Sequence, residues 1–425
     1  MSKIWKSIYN LLIVPLFYFM VLIYSFFNSK VRRGIKDRKK IFENLIINFA
    51  GLKKGRKTIW FHSASMGEFE QAKPIIEDLK SNYDVNIIVT FFSPSGYDNS
   101  LRYPYADIVS YLPFDFPGTI KRFIKIVKPR FVVFMRYDLW PNLVWQLASS
   151  NIPIFLVDAT LRTNSRRNLP IAKGVSASLF RRITKVLTVT DSDAENFLKF
   201  GVNQHNIISV GDTRFDRVFQ KSQIAKQEQI FPEEFFLGKK VFVFGSSWPS
   251  DEAVIFPSII KLQSLEEELI SIVVPHEPTV NQLERIENEL NKKISHIRFS
   301  RLRHYNSEKV IIVDAIGILL TLYRYAHVAF VGGGFKPGVH SVLEPAVYGI
   351  PVLFGPKIEN SREARNLVEM GSGFKITGNK NAYRTLRKLF RDDEFRISSG
   401  NISKKYVTEN LGATERINTE LKKIF

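Results

Sequence analysis

Apolar positions along the chain change period twice. Residues 8–27 form an uncharged apolar run of twenty residues. Such a helix is long enough to cross a bilayer core of about 30 Å. From residue 58 onward, short β-rich runs alternate with stretches of helical spacing. Strand patterns fall at 58–62, 85–90, 108–112, 131–135, 154–158 and 186–190, with helical patterns such as 68–80 and 194–200 between them. Residues 220–240 are polar and poorly patterned apart from a Phe/Pro cluster, which predicts a linker. The alternation then restarts, with strands at 241–245, 269–274, 310–313, 328–332 and 352–355. Alternation of this kind predicts parallel sheets covered by helices on both faces, an α/β class. The expected organisation is an anchor helix over 1–30 and two Rossmann-like doubly wound domains over 31–219 and 220–402. A basic terminal helix over 403–425 is expected to pack back on the first domain. Ligands bind such sheets at the carboxyl ends of the strands, here in a cleft that the two domains face.

Composition narrows the function classes. Hydrophobic residues make up 45% and charged residues 24% of the 425, as in an ordinary folded protein. The chain has no cysteine, which excludes disulfides, thiolate metal sites and cysteine nucleophiles. A net charge of +20 points to polyanionic partners. Thirteen Lys/Arg against Asp37 and Glu43 give residues 1–57 a net of +11. That basic flank follows the apolar run, so residues after 30 are expected on the cytoplasmic side. No small-residue cleavage site supports a signal peptide. A helix lying in the membrane interface, with Pro15 as a kink, is the alternative to a spanning anchor. No recognition module points to nucleic acid.

The candidate chemistry lies at strand ends. Val331-Gly-Gly-Gly-Phe-Lys-Pro-Gly338 joins a strand to a helical pattern opening near Ser341, and Glu344 lies one turn further on. The pattern suits a nucleotide-sugar phosphate, with Glu344 toward ribose hydroxyls. Ser341-x-x-Glu344 is equally a capping box. Glu68, in a helix's first turn after the strand ending at His62, is a candidate general base or a dipole-complementing acid. Arg136 and Asp138 end another strand, where Asp138 is also a candidate cap. Arg214 could neutralise a departing phosphate. His276 and Gly317 sit in strand-end loops of the second domain. Asp191-Ser-Asp193 resembles a metal motif but opens a helix, where capping is favoured. The seven histidines show no ligand spacing, so no metal is expected.

Together these motifs resemble the 3-deoxy-D-manno-octulosonic acid (Kdo) transferases. The match includes Ser65-Met-Gly-Glu68, Thr90-Phe-Phe-Ser-Pro-Ser-Gly96, Leu112-Pro-Phe-Asp-Phe-Pro-Gly118, Asp138-Leu-Trp-Pro-Asn142, Val210-Gly-Asp-Thr-Arg-Phe-Asp216 and the glycine stretch. The resemblance implies a GT-B glycosyltransferase that inverts configuration and uses neither metal nor cofactor. Its donor would be CMP-Kdo and its acceptor a lipid A precursor, at the inner membrane with its anionic lipid. It implies Glu68 as proton acceptor, with Asp138 and Arg214 stabilising the transition state. It places CMP against His276, Glu277, Ile316, Gly317, Ile318, Ser341, Val342, Leu343 and Glu344. Arg136-Tyr-Asp138 stands where the family commonly has Glu-Thr-Glu, and Arg214 where Lys is usual. A UDP-sugar-dependent lipid glycosyltransferase and a non-catalytic membrane protein binding acidic lipid are the competing readings.

Overall fold

The computed structural model describes residues 3–336 and 338–425. They form two compact units, 1–217 with 411–425 and 218–410. In the first unit, seven parallel strands form one sheet: β1 (Lys57–Ser63), β2 (Val85–Phe91), β3 (Ile108–Tyr111), β4 (Phe131–Met135), β5 (Ile154–Ala159), β6 (Lys185–Thr188) and β7 (Ile207–Ser209). Their order is β3-β2-β1-β4-β5-β6-β7. The second unit holds β8 (Lys240–Ser247), β9 (Leu269–Pro275), β10 (His296–Arg298), β11 (Val310–Ile312), β12 (Val328–Val331), β13 (Val352–Phe354) and β14 (Gly373–Lys375). These are ordered β10-β11-β9-β8-β12-β13-β14.

The inner strands are apolar on both faces because helices cover both. Ile59, Trp60 and Phe61 of β1 are fully buried, and Trp60 and Phe61 lie in the two core clusters of the first unit. Each sheet reverses its winding beside its first strand, β1 against β4 and β8 against β12. The crevice outside the carboxyl ends at such a reversal is where these sheets take ligands. In the first sheet Glu68 and Asp138 follow β1 and β4, the strands on either side of the reversal.

Three segments depart from the sequence expectation. The basic segment after the apolar run, for which the sequence pattern predicts no element, forms two helices, Ser29–Lys39 and Ile41–Ala50. Arg38, within the basic run, binds the carbonyls of Leu112 (3.0 Å), Phe92 (2.6 Å) and Gly34 (3.1 Å) and lies over the Tyr111 ring. The expected linker at 220–240 begins inside the helix Thr213–Ala225, and Phe231 is 2% exposed in the second unit's core. Its aromatics are core residues, which explains why they broke the polar pattern. The expected single helix over 403–425 is two, Asp393–Glu409 and Ala413–Lys422. Gly412, at φ 92°, makes the turn that a side chain would oppose. Only the last helix joins the first unit, through fully buried Ile417 and Leu421 and a 2.6 Å bond from Asn418 to Asp78.

Candidate active site

In the first unit, β1 ends at Ser63 and the helix Met66–Asn82 begins three residues later. That turn sets Glu68 at the helix start, 8% exposed, where its Oε2 accepts the Ala64 N–H at 2.6 Å. Burial pushes the Glu68 carboxyl up, and the Asp138 charge adds to the rise. The Ala64 amide, His62 and Arg136 oppose it, but the net direction is upward.

Asp138 follows β4 and is biased the other way. Its Oδ2 lies 3.0 Å from His62 Nε2 and accepts Trp140 Nε1–H at 3.2 Å. Burial alone would raise Asp138. The His62 bond and charge, the indole N–H and the Arg167 guanidinium outweigh burial, and the carboxyl sits below its ordinary value. Asp138 does not cap the next helix; Trp140 occupies that position without a side-chain cap bond. Two neighbouring carboxyls are thus shifted in opposite directions, a bias that favours one as proton acceptor and the other as a standing charge.

His62 was not singled out by the sequence as a site residue. It is fully buried, with Nδ1 2.9 Å from Thr90 Oγ1, and Thr90 also accepts Trp60 Nε1–H at 2.8 Å. A histidine closing an otherwise apolar strand was the available signal.

Arg214 follows β7. Its Nε and Nη2 bind both oxygens of Asp212, at 3.0 and 2.6 Å, and its own N–H donates to Oδ1 at 2.9 Å. Arg214 pulls Asp212 below the carboxylate range despite burial, while burial and the Asp212 charge push neighbouring Asp158 up. Asp158 sits at φ 50° where the pairing of β5 with β6 slips, a bulge that turns its carboxylate toward the Thr213 N–H and hydroxyl. Arg136, also left-handed at φ 62°, acts electrostatically on Glu68, Asp158 and Asp212. Two non-glycine residues in that backbone region at one sheet edge mark a strained site.

The second unit's candidates surround the carboxyl ends of β8, β9, β11 and β12. Trp248 Nε1–H donates to His340 Nε2 at 3.0 Å, and the two rings are coplanar within 3°. His276 stacks across both, with ring centres 4.6 Å from each. An indole N–H only donates, so His340 Nε2 carries the lone pair. Burial and His276 lower the pKa of His340, in keeping with that neutral form. His276 is itself exposed, which leaves one aromatic face open. Ile316 is 86% exposed beside Gly317 at φ 89°. The helix Leu319–Tyr323 follows Ile318, and Tyr323 lies close enough to Glu344 to feel its charge.

Part of the glycine stretch is engaged within the protein. Asp251 accepts N–H groups from Trp248 (3.1 Å), Gly333 (2.8 Å) and Phe335 (3.3 Å). Gly332 N–H goes to the Gly245 carbonyl at 2.9 Å. A Cβ on Gly334 would lie 2.6 Å from Gly355 N, and one on Gly332 would strike the Ser246 carbonyl. These glycines let strand-end loops approach closely, and the Gly332 and Gly333 amides are bonded inside the protein. The helix after them, Leu343–Ala346, is a single turn with Val342 rather than Ser341 at its cap. Ser341 bonds Glu344, whose carboxyl burial raises to about 7 against the opposing pull of Lys221 and that hydroxyl.

Asp193 of the Asp-x-Asp motif accepts the Leu161 N–H at 2.9 Å and the Thr190 O–H at 2.5 Å. Among the described residues no cluster of three metal-ligating side chains occurs.

Residues 36–217 match the family model described as 3-deoxy-D-manno-octulosonic-acid transferase. The 3-deoxy-D-manno-octulosonic acid transferase of Haemophilus influenzae is 27% identical over 84% of this chain and 85% of its own length. The Aquifex aeolicus enzyme of the same name is 29% identical over 80% and 86%. Over residues 36–217 by the family model, and over most of its length by these relatives, the chain is similar to Kdo transferases. It is therefore a glycosyltransferase. A bifunctional glycosyltransferase/methyltransferase of Fusobacterium nucleatum is 28% identical over 81% of this chain, which spans only 54% of that protein. The Neisseria meningitidis UDP-GlcNAc 2-epimerase bound to UDP-GlcNAc aligns with a TM-score of 0.63 at 16% identity, covering 86% of this chain and all of the other. That likeness shows the fold, the two-domain parallel α/β type called GT-B.

Proposed function

We propose that this glycosyltransferase moves Kdo from CMP-Kdo to a lipid A precursor at the cytoplasmic face of the inner membrane, in lipopolysaccharide core assembly. The observation that carries the reading is the pair Glu68 and Asp138, two carboxyls biased in opposite directions at the sheet's reversal point. Glu68, raised by burial, keeps basicity enough to take the proton from an acceptor hydroxyl. That oxygen attacks the anomeric carbon, the bond from that carbon to phosphate breaks, and CMP leaves with the electron pair. Configuration inverts. Asp138 stays charged and steadies positive charge developing on the sugar, and Arg214, fixed by Asp212, faces the departing phosphate.

In this division of labour the first unit takes the acceptor and the second holds CMP. His276 with Trp248 and His340 offers an aromatic face for the base. Glu277, Ile316, Gly317, Ile318 and the run Ser341, Val342, Leu343, Glu344 complete the donor contacts. A predominantly apolar helix of 23 residues, Trp5–Phe27, and the +11 charge of residues 1–57 support membrane attachment and an acidic lipid partner.

Incubation with freshly made CMP-Kdo and tetra-acylated lipid A precursor, followed by mass spectrometry of the lipid, tests the reading. A product heavier by one or more Kdo units is expected. Transfer from a UDP-sugar instead, or lipid binding without CMP release, would overturn it.

A further inference from the structure

The helix Trp5–Phe27 does not leave the first unit; it runs along it. Tyr9 donates to Asp115 at 2.9 Å, and Asn142 donates to Asn10 at 2.6 Å. Val14 is 4% and Ser25 8% exposed. Phe17 lies against Phe92 and Trp140, with ring centres at 6.0 and 5.6 Å, and Tyr18 against Phe114 at 4.8 Å. Residues 8, 9, 10, 14, 17, 18, 21, 22 and 25 are buried or half-buried, a stripe at helical spacing that follows most of the length.

The opposite stripe is just as apolar and has no protein over it. Leu12, Leu16, Phe19, Ile23, Phe26 and Phe27 are between 44% and 84% exposed. A helix apolar on every side needs apolar surroundings on every side. Protein supplies one side here, and the occupant of the other is the hydrocarbon of a membrane leaflet. The charge agrees, because Lys30, Lys36, Lys39 and Lys40 just beyond the helix are exposed and suit anionic headgroups.

Crossing the bilayer conflicts with this packing. Tyr9 is eighteen residues from Phe27, or about 27 Å of helix at 1.5 Å per residue, nearly a full hydrocarbon core of about 30 Å. Were Phe27 at the cytoplasmic surface of a spanning helix, Tyr9 would sit by the far leaflet. Asp115, Asn142 and the ends of β3 and β4 would have to go with it. Those elements belong to the folded domain, and Asp115 also accepts the N–H groups of Asn142 and Leu143.

We infer that the N-terminal helix lies in the plane of one leaflet and forms a wall of the acceptor site, rather than tethering the domain from across the membrane. The inference rests on the membrane attachment proposed above. It also links lipid to chemistry by contact. Phe17 of the helix touches Trp140, Trp140 stacks on Phe92 at 4.7 Å, and Trp140 Nε1–H binds Asp138. The helix is thus a positioning element for the candidate site.

The absence of cysteine allows the test on the full chain with single labels. Cysteine at Leu12, Leu16, Phe19, Ile23 or Phe26 is coupled to a nitroxide, and depth is read by power saturation in phosphatidylethanolamine–phosphatidylglycerol vesicles. The inference expects one shallow depth for all five. Depths that pass through the bilayer centre and emerge on the far side overturn it while leaving membrane attachment intact. Failure of the protein to bind vesicles sinks the attachment reading itself. A second readout addresses the link to Asp138: Phe17→Ala should lower kcat with vesicle binding unchanged, and Phe17→Leu should restore much of the loss. Unchanged kcat in Phe17→Ala would refute the positioning role.

Discussion

Replacing His62 by Phe tests whether Asp138 works as a fixed negative charge. The ring is fully buried and of similar size to phenylalanine's, so packing is largely kept. The substitution removes the 3.0 Å contact to Asp138 and leaves that carboxylate with the Trp140 indole. Thr90 keeps the Trp60 N–H. A hydrogen bond to a charged group contributes about 1.5–3 kcal/mol. Each 1.4 kcal/mol or so corresponds to a tenfold change in rate, so kcat should fall roughly ten- to 150-fold. The pH dependence separates this cause from simple damage. His62 provides the largest influences holding Asp138 below its ordinary value against burial. Without them the carboxyl titrates higher, and the acidic limb of the rate profile moves to higher pH. The assay is steady-state CMP release on lipid acceptor across pH, with chemical denaturation as the control. A rate within about twofold of wild type at every pH, in a folded protein, would refute the role given to the His62–Asp138 contact.

Two further outcomes follow from the second unit. Asp251→Asn sets an amide NH2 among three backbone N–H donors, which should cost about 2–4 kcal/mol. An earlier denaturant midpoint read by tryptophan fluorescence, with weaker CMP binding, is expected, and an unchanged midpoint contradicts it. Glu344→Gln tests a carboxyl raised from 4.5 to about 7. In that range the folded state holds the proton more tightly than the unfolded chain. Its stabilisation is therefore complete below pH 4.5 and lost as pH rises through about 7. The Gln variant should lack this slope, which is worth up to about 3 kcal/mol; parallel pH–stability curves would contradict the assignment.

The inner strands were legible because burial on both faces writes itself as an unbroken apolar run, as in 131–135. The missed strands, β7, β10 and β14, are short and stand at or beside a sheet edge. Most of their residues, such as His296 and Lys375, are half exposed or exposed, so they carry little apolar signal. Glu68, Asp138 and Arg214 stand out in the sequence because each follows a strand within a distinctive motif. His62, Asp212 and Asp251 act through partners 76, 2 and 82 residues away. Asp251 and the long-range His62 pairing become visible only when parallel strands bring their ends to one edge. The glycines are ambiguous for a related reason, since close approach to another loop and close approach to a ligand demand the same missing side chain. The anchor's apolar run was plain, but its covered stripe depends on Phe92, Phe114 and Trp140, which the one-dimensional pattern cannot align with it.

The most direct test of the account is single-turnover transfer by Glu68→Gln. Glutamine keeps the shape and accepts the Ala64 N–H but cannot take a proton from the acceptor hydroxyl. CMP affinity should be unchanged while sugar transfer to lipid slows by about 10²–10⁴-fold. Full turnover in that variant would contradict the assignment of Glu68 as the base.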